Sequence, residues 1–350
     1  MIDVTAITSG KQLPSTHYRI RQYISLLQDA GIHVREYRPV IDKWAPLPGK
    51  PEWMTNRQLL PFYALWQGLK LATRIPGIMG SYRCDITWLN KELLPGYSTL
   101  EGLMGRPLVS DVDDAIWLTP PFGERAARHI GQRSDVLVVG NDYLANWFDH
   151  CASQIQIVPT AVDVSLFRPS TQKEQDDLFI VGWIGSQGNL SYLSAIQPAL
   201  KAFLSTRKDA RLLVVSDAEP EFGELPPAQV IFQPWTRETE VASIQKMDVG
   251  LMPLADSDWA RGKCAFKMLQ YMAVGLPVVV SPVGMNAQVL KMGELGFGVD
   301  DIDDWIGALE TLYADRDYGK CLGATGRQVV KAKFDLPVVG EKLAAVFKLL

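Results

Sequence analysis

The 350-residue sequence is poor in the residues that mark the simplest function classes. Its 4 cysteines, Cys84, Cys151, Cys264 and Cys321, lie far apart and form no Cys-x-x-Cys pair, which excludes a zinc knuckle and a dense disulfide framework. The plain reading is reduced thiols in a cytoplasmic protein. Its 4 histidines, His17, His33, His129 and His150, show no metal-ligand spacing, and no serine or cysteine nucleophile motif is present. No metal site is expected. No Gly-x-Gly-x-x-Gly follows either strand that opens a βαβ run, which argues against a dinucleotide dehydrogenase. Charge is scarce and balanced, Lys+Arg 35 against Asp+Glu 39, so the net −4 offers no field for gripping nucleic acid. The start carries Asp3 where a secretory signal needs positive charge. The longest uncharged run, 268–290, contains Gly275, Pro277, Pro282, Gly284, Asn286 and Gln288, which suit a buried helix, strand and turn rather than a membrane span.

What remains is an ordinary globular composition, 47% hydrophobic and 21% charged, with length for two domains. The opening reads as a strand over 2–8, a loop, a helix over 16–30 ended by Gly31, and a strand over 32–37. In one sheet that order implies a parallel pair with a right-handed crossover. Further strands are expected at 85–89, 107–111, 136–140 and 156–159. A polar linker at 170–177 precedes a restart, with strands at 178–184, 211–215, 230–233, 249–254 and 277–281 and helices at 190–206, 239–246 and 265–274. The predicted organisation is therefore two βαβ domains, 1–169 and 170–336, with a helix over 337–350 packing back on the first. From Arg57 to Arg83 the chain has Arg57, Lys70, Arg74 and Arg83, no acid, and many large apolar residues. It reads either as a basic amphipathic surface for peripheral membrane contact or as an ordinary helix covering the first sheet.

The most informative stretch is Arg261-Gly262-Lys263-Cys264-Ala265-Phe266-Lys267-Met268-Leu269-Gln270-Tyr271-Met272-Ala273-Val274-Gly275-Leu276-Pro277. On a helix, Lys263, Lys267 and Gln270 fall at i, i+4 and i+7 and share one face opposite Ala265, Met268, Leu269 and Met272. Two cations beside a helix N-terminus suit a diphosphate, and an amide one turn on suits a ribose or sugar hydroxyl. A solvated polar face is the alternative by spacing alone. The adjoining Val278-Val279-Val280 is buried-strand material ending in Ser281-Pro282-Val283-Gly284-Met285-Asn286, a turn at the carboxyl edge where open α/β sheets bind ligands.

These residues resemble the family 4 glycosyltransferases, in particular a subfamily with a GKC-x-FK-x-x-QYMA-x-G-x-PVV-x-SPVG-x-N block. Shorter resemblances run in order at Asp111 to Trp117, Gly140 to Leu144, Pro159 to Asp163, Gly182 to Ser186 and Met252 to Leu254. The resemblance implies a GT-B fold, two Rossmann-like doubly wound domains facing across a cleft. It implies an enzyme that transfers a hexose-type sugar, with retention, from a nucleotide diphosphate donor to a glycan or lipid-linked acceptor, without a metal or other cofactor. Cell-surface polysaccharide or glycolipid assembly, in the cytoplasm or at the inner face of the membrane, is the implied setting. Arg261, Lys263, Lys267, Gln270, Ser281, Gly284 and Asn286 are the candidate donor-binding residues, joined by Gly10, Ser186, Asn189 and Trp235. Asp113, Asp114 and Lys267 are the catalytic candidates, and Asp111 and Asn141 lie on the acceptor side. A turn or helix cap is the alternative for the first-domain polar residues, and a core or lid position for Trp235. The wider family's Glu-x7-Glu pair falls on Gly262 and Gln270, and its Arg and Lys after the second domain's first strand are replaced by Ser186 to Asn189. That departure motivates two alternatives: a non-catalytic nucleotide-sugar-binding subunit, and another GT-B activity such as a nucleotide-sugar 2-epimerase.

Overall fold

The computed structural model describes residues 1–11, 13–49, 56–170 and 178–350, the side chains of 56–59 apart. Apolar runs of 3–7 residues pair into two sheets. The first contains β1 (Ile2–Ile7), β2 (Ile32–Tyr37), β3 (Ile86–Asn90), β4 (Leu108–Val112), β5 (Val136–Val139) and β6 (Ile155–Ile157). The second contains β7 (Phe179–Ile184), β8 (Ala210–Ser216), β9 (Val230–Pro234), β10 (Val249–Met252), β11 (Val278–Val280) and β12 (Gly296–Gly298). The strand orders are β2-β1-β3-β4-β5-β6 and β12-β11-β10-β7-β8-β9. All pairings are parallel. Strands covered on both faces read as continuous Val, Ile and Leu runs, which is why β5 and β11 are wholly apolar.

The chain divides into two compact units, Met1–Thr160 with Val339–Leu350, and Ala161–Val338. The sequence-based division at 169/170 differs from this because the backbone after Thr160 is tied to the end of the second unit. The Val162 N–H donates to Phe334 O, and Arg327 donates to Val164 O and Phe167 O. The expected linker at 170–177 lies, Ser170 apart, outside the described residues. The helix Leu336–Lys348 delivers Phe347 into the first unit, where its ring meets the buried Trp88 edge-on at 5.1 Å.

In the second unit, the helices Gln197–Thr206 and Ile302–Ala314 cover one sheet face through Phe203, Leu200, Trp305 and Leu309. Each such side chain contributes about 1.5–3 kcal/mol relative to exposure. The helix Phe266–Val274 packs with Met268, Leu269, Tyr271 and Met272 fully buried. Gly182 and Gly250 are register partners on β7 and β10, and both are needed as glycine. A Cβ on Gly182 would lie 2.0 Å from Met247 Sδ, and one on Gly250 2.2 Å from the Tyr271 ring.

Two sequence expectations change. The helix expected over 16–30 is Pro14–Arg19, a 3-10 turn and Ile24–Asp29, because Ile20 leaves helical geometry at φ −122°. The helix expected over 190–206 breaks at Ile196, and Pro198 starts a second one where its missing N–H costs nothing. Of the four cations between Arg57 and Arg83, for which the sequence leaves two readings open, Arg83 is exposed, Lys70 and Arg74 are buried, and the Arg57 side chain lies outside the described residues. Lys70 turns inward to donate to Lys43 O at 3.0 Å, and Arg74 to Thr8 O at 2.7 Å. Leu60, Leu65 and Met79 also stand outward, each more than 60% exposed. Among the described residues no helix is long and apolar enough to cross a membrane.

Candidate functional site

In the second unit the strand order reverses at β7, so the loop after Ile184 occupies the position where open parallel sheets hold ligands. That loop is Gly185-Ser186 followed by a 3-10 turn, Gln187–Asn189. Gly185 has no room for a side chain: a Cβ would lie 2.4 Å from the Trp183 ring and 3.0 Å from Lys267 Cε. The lysine stem thus lies against the loop. Lys263 approaches the same loop, its Nζ donating to Asn189 Oδ1 at 3.2 Å while Asn189 Nδ2 donates to Ser186 Oγ at 2.8 Å. Tertiary structure therefore gathers Ser186, Asn189, Lys263 and Lys267, which the sequence separates by some 80 positions.

The way they meet corrects the sequence expectation. Lys263 does not share a helix face with Lys267, because the helix begins only at Phe266. Ala265 precedes it in the left-handed region, φ 51° and ψ 20°, a conformation that costs a non-glycine residue about 1–3 kcal/mol. The kink sets Lys263 before the helix, across from Asn189, and leaves the first-turn N–H groups of a nine-residue helix at the site. The buried Tyr271 anchors that helix by accepting the Ile184 N–H at 2.9 Å, and burial pushes its phenol well above its ordinary range.

Gln270 is 2% exposed and donates to Glu240 Oε1 at 3.0 Å. The same oxygen accepts from Trp235 Nε1 at 3.3 Å. Glu240, itself buried, places a carboxylate beside the position where the sequence lacks one. Sequence reasoning missed it because it stands 30 residues from Gln270. Its local signal is modest: an acid at the first turn of a helix following the Trp235 strand end.

Other donor-side candidates are committed elsewhere. Arg261 forms a bidentate pair with Asp256 at 2.7 and 2.8 Å, holding that exposed carboxyl below its usual range. Asn286 is buried and donates to Ser281 O, and Ser281 Oγ accepts from the Leu254 N–H at 3.0 Å. Gly284, at φ 55°, lets this turn approach the Arg261 backbone, where a Cβ would meet Arg261 O at 2.7 Å. These three shape the turn after β11.

In the first unit, Asp111 at the end of β4 is 1% exposed and is gripped by Arg19, Nε to Oδ1 2.8 Å and Nη2 to Oδ2 3.1 Å. Arg19 also donates to Val158 O and Thr160 Oγ1. Burial disfavours the guanidinium, but Asp111 outweighs it and raises its affinity for the proton. Asp111 is thus a buried tie between elements and not a surface for an acceptor. Asn141 is the N-cap of the helix Asp142–Phe148, its Oδ1 accepting from the Leu144 N–H at 2.9 Å. The space above Gly10 is filled by the Asp42 carboxylate, 2.7 Å from where a Cβ would sit.

Asp113 and Asp114 share one partner that the sequence reading did not name. Lys91 follows β3 at φ 59° and reaches Asp113 Oδ1 at 2.6 Å and Asp114 Oδ2 at 2.5 Å. Desolvation works against both charges, yet Lys91 holds Asp113 below the ordinary carboxylate range, and the two acids raise Lys91 above its own. Such carboxylates are suited to accept hydrogen bonds from hydroxyls and poorly suited to take a proton outright. Deeper in, Lys43 and Glu92 form a buried pair at 2.6 Å. Among the described residues no three His, Cys, Asp or Glu side chains gather to hold a metal ion.

Residues 176–315 match the family model of glycosyl transferases group 1. No curated protein matches the chain. Among solved structures, the chain resembles sucrose-phosphate synthase from Thermosynechococcus elongatus at 15% identity and TM-score 0.73, over 100% of this chain and 99% of that one. It resembles HepE from Anabaena in complex with UDP-glucose at 13% identity and TM-score 0.69, over 100% of both chains. WaaG, a glycosyltransferase involved in lipopolysaccharide biosynthesis, matches at 15% identity and TM-score 0.67 over 99% of both. At these identities the likeness establishes the architecture alone: the chain has the α/β GT-B fold, and the match to the glycosyl transferases group 1 model lies in its second unit.

Proposed function

We propose that the protein is a retaining, metal-independent glycosyltransferase that moves a hexose-type sugar from a nucleotide diphosphate donor to a glycan or lipid-linked acceptor. The observation that carries this reading is the convergence of Lys263 and Lys267 on the Gly185 to Asn189 loop at the switch-point strand. When the bond from the anomeric carbon to the diphosphate oxygen breaks, negative charge develops on the leaving group. Lys263, Lys267 and the first N–H groups of the helix Phe266–Val274 stabilise that charge without a divalent ion. Glu240 and Gln270 present an acceptor and an amide for the ribose or sugar hydroxyls, and Trp235 stands beside them for the base. On the acceptor side, Asp113 and Asp114, oriented by Lys91, accept the incoming hydroxyl's hydrogen bonds. The UDP-glucose complex of the structurally similar HepE supports a UDP-sugar as the donor.

The loss of both family carboxylates favoured a non-catalytic binding subunit. Glu240 weakens that motive, because it supplies a carboxylate through space at one of the two positions. Assembly of a surface polysaccharide or glycolipid is part of the same proposal. The exposed Leu60, Leu65 and Met79 supply an apolar contact for a bilayer carrying a lipid-linked acceptor.

The deciding experiment is thermal denaturation with UDP, GDP, ADP, TDP and CMP, each with EDTA and with magnesium. A ligand at 100-fold over its Kd adds about 2.7 kcal/mol, a shift of several degrees for domains of this size. A selective shift that persists in EDTA is expected, and Lys267→Ala is expected to reduce it while leaving the unliganded midpoint in place. No shift with any nucleotide, or unchanged affinity in Lys267→Ala by calorimetry, overturns the assignment.

A further inference from the structure

The first unit contains a groove of about 770 Å³ that none of the residues above occupies, within the size range of small-molecule sites. Its walls are the segment around Ser98 and Thr99 beyond β3 and residues 117–125 beyond β4, followed by the helix Gly123–Arg133. The two walls are locked together. The Phe122 N–H donates to Gly96 O at 3.1 Å, and Gly96, at φ 73°, lies so close that a Cβ would stand 2.3 Å from Pro120 O.

The lining combines flat aromatic surface with two arginines, Arg125 and Arg128, and the acid Glu124. Trp117 is stacked on Trp147 at 4.4 Å and 3°, so its ring is held rigidly from behind. Phe122 is 57% exposed, with Tyr97 edge-on at 5.8 Å. Leaving such rings in water is unfavourable, and the C–H face of a sugar ring is a ligand that covers them while its hydroxyls stay hydrated. Arg125 lines the groove with no carboxylate partner among the described residues, whereas its neighbour Arg128 is paired with Glu124 at 2.8 Å. A guanidinium without a carboxylate partner, in a groove that aromatic rings also line, recognises a planar or tetrahedral anion carried on a sugar.

We propose that this groove binds an anionic unit of the acceptor glycan, a sugar bearing a carboxylate or phosphate, with the ring on Trp117 and Phe122 and the anion on Arg125. The proposal rests on the transferase reading above for the word acceptor, and the binding itself is independent of turnover. The test is titration of the full chain, followed by tryptophan fluorescence and calorimetry, with tetragalacturonate, a phosphorylated maltotetraose and neutral maltotetraose. At least one anionic oligosaccharide is expected to bind tenfold or more tightly than the neutral one, and which of the two does so names the anion. Arg125→Gln is expected to abolish that preference, and Phe122→Ala to weaken binding of the anionic sugar. Both side chains are exposed, so an unchanged thermal midpoint and an unchanged nucleotide-induced shift verify the fold and the donor site. Equal affinity for charged and neutral sugars, no binding of any of the three, or an unaltered preference in Arg125→Gln overturns the proposal. A retained nucleotide shift alongside such a failure removes the groove alone, whereas loss of the shift in the unmodified protein removes the transferase reading.

Discussion

Gln270 and Glu240 form a donor-acceptor pair whose polarity runs in one direction, amide to carboxylate, at 3.0 Å and away from bulk water. Gln270→Glu would set two carboxylates in that position, and like charges so placed drive one of them to take up a proton. The expected result is a loss of about 1–3 kcal/mol in stability, read as a lower urea midpoint, together with weaker nucleotide binding. Gln270→Glu combined with Glu240→Gln restores one donor and one acceptor and should recover most of both. A double variant no better than the single one would show that the pair does not act as a unit. Gln270 was legible in the sequence as a departure from a family pattern. Glu240 was not, because a hydrogen bond between residues 30 apart is decided by how a helix lies on its sheet. Lys91 escaped for a similar reason: nothing in a lysine after a strand announces that φ 59° will aim it at Asp113 and Asp114.

At the scale of elements, the helix Phe266–Val274 is held to the second sheet by a polar contact of Tyr271 beside many apolar ones. Tyr271 passes over Gly250 of β10 to accept the Ile184 N–H at the end of β7. Tyr271→Phe keeps the ring and removes the acceptor, leaving a buried N–H unsatisfied. We expect a loss of about 1–3 kcal/mol by chemical denaturation and a several-fold weaker nucleotide affinity, since Lys267 rides on this helix. Unchanged affinity in a destabilised Tyr271→Phe would separate the anchor from the site. Most elements were legible from hydrophobic runs and helix punctuation. The breaks at Ile20 and Ile196 and the late helix start after Ala265 were not. They arise where packing overrides a continuous local pattern. The three-residue β12 carries two glycines and too little periodicity to register.

Across the whole molecule, acid sensitivity follows from where carboxylates are paired. Asp113 beside Lys91, Glu36 beside Arg21 and Asp135 beside Arg106 are all held below their ordinary range despite partial or full burial. Their folded forms bind fewer protons than their unfolded forms. Their contribution is therefore fully present above the unfolded pKa near 4 and is lost as pH falls through the folded values. Asp111, pushed upward by burial, acts in the opposite sense. The net expectation is a stability that declines below about pH 4, measured by urea denaturation between pH 3 and 7, with a shallower decline in Asp113→Asn. An identical pH profile in that variant would remove Asp113 from the account.

Composition, strand runs and one dense motif were enough to specify two parallel α/β units and to single out Lys263, Lys267 and Gln270 as candidate binding residues, because those signals are local in the chain. The tertiary structure alone decided which polar residues stay available. It buried Asp111 against Arg19, turned Lys70 and Arg74 inward, gave Arg261 to Asp256, and brought Glu240 to Gln270. A buried charge must find a partner wherever the fold supplies one, and that partner is set by the stacking of helices and sheets rather than by neighbours in sequence.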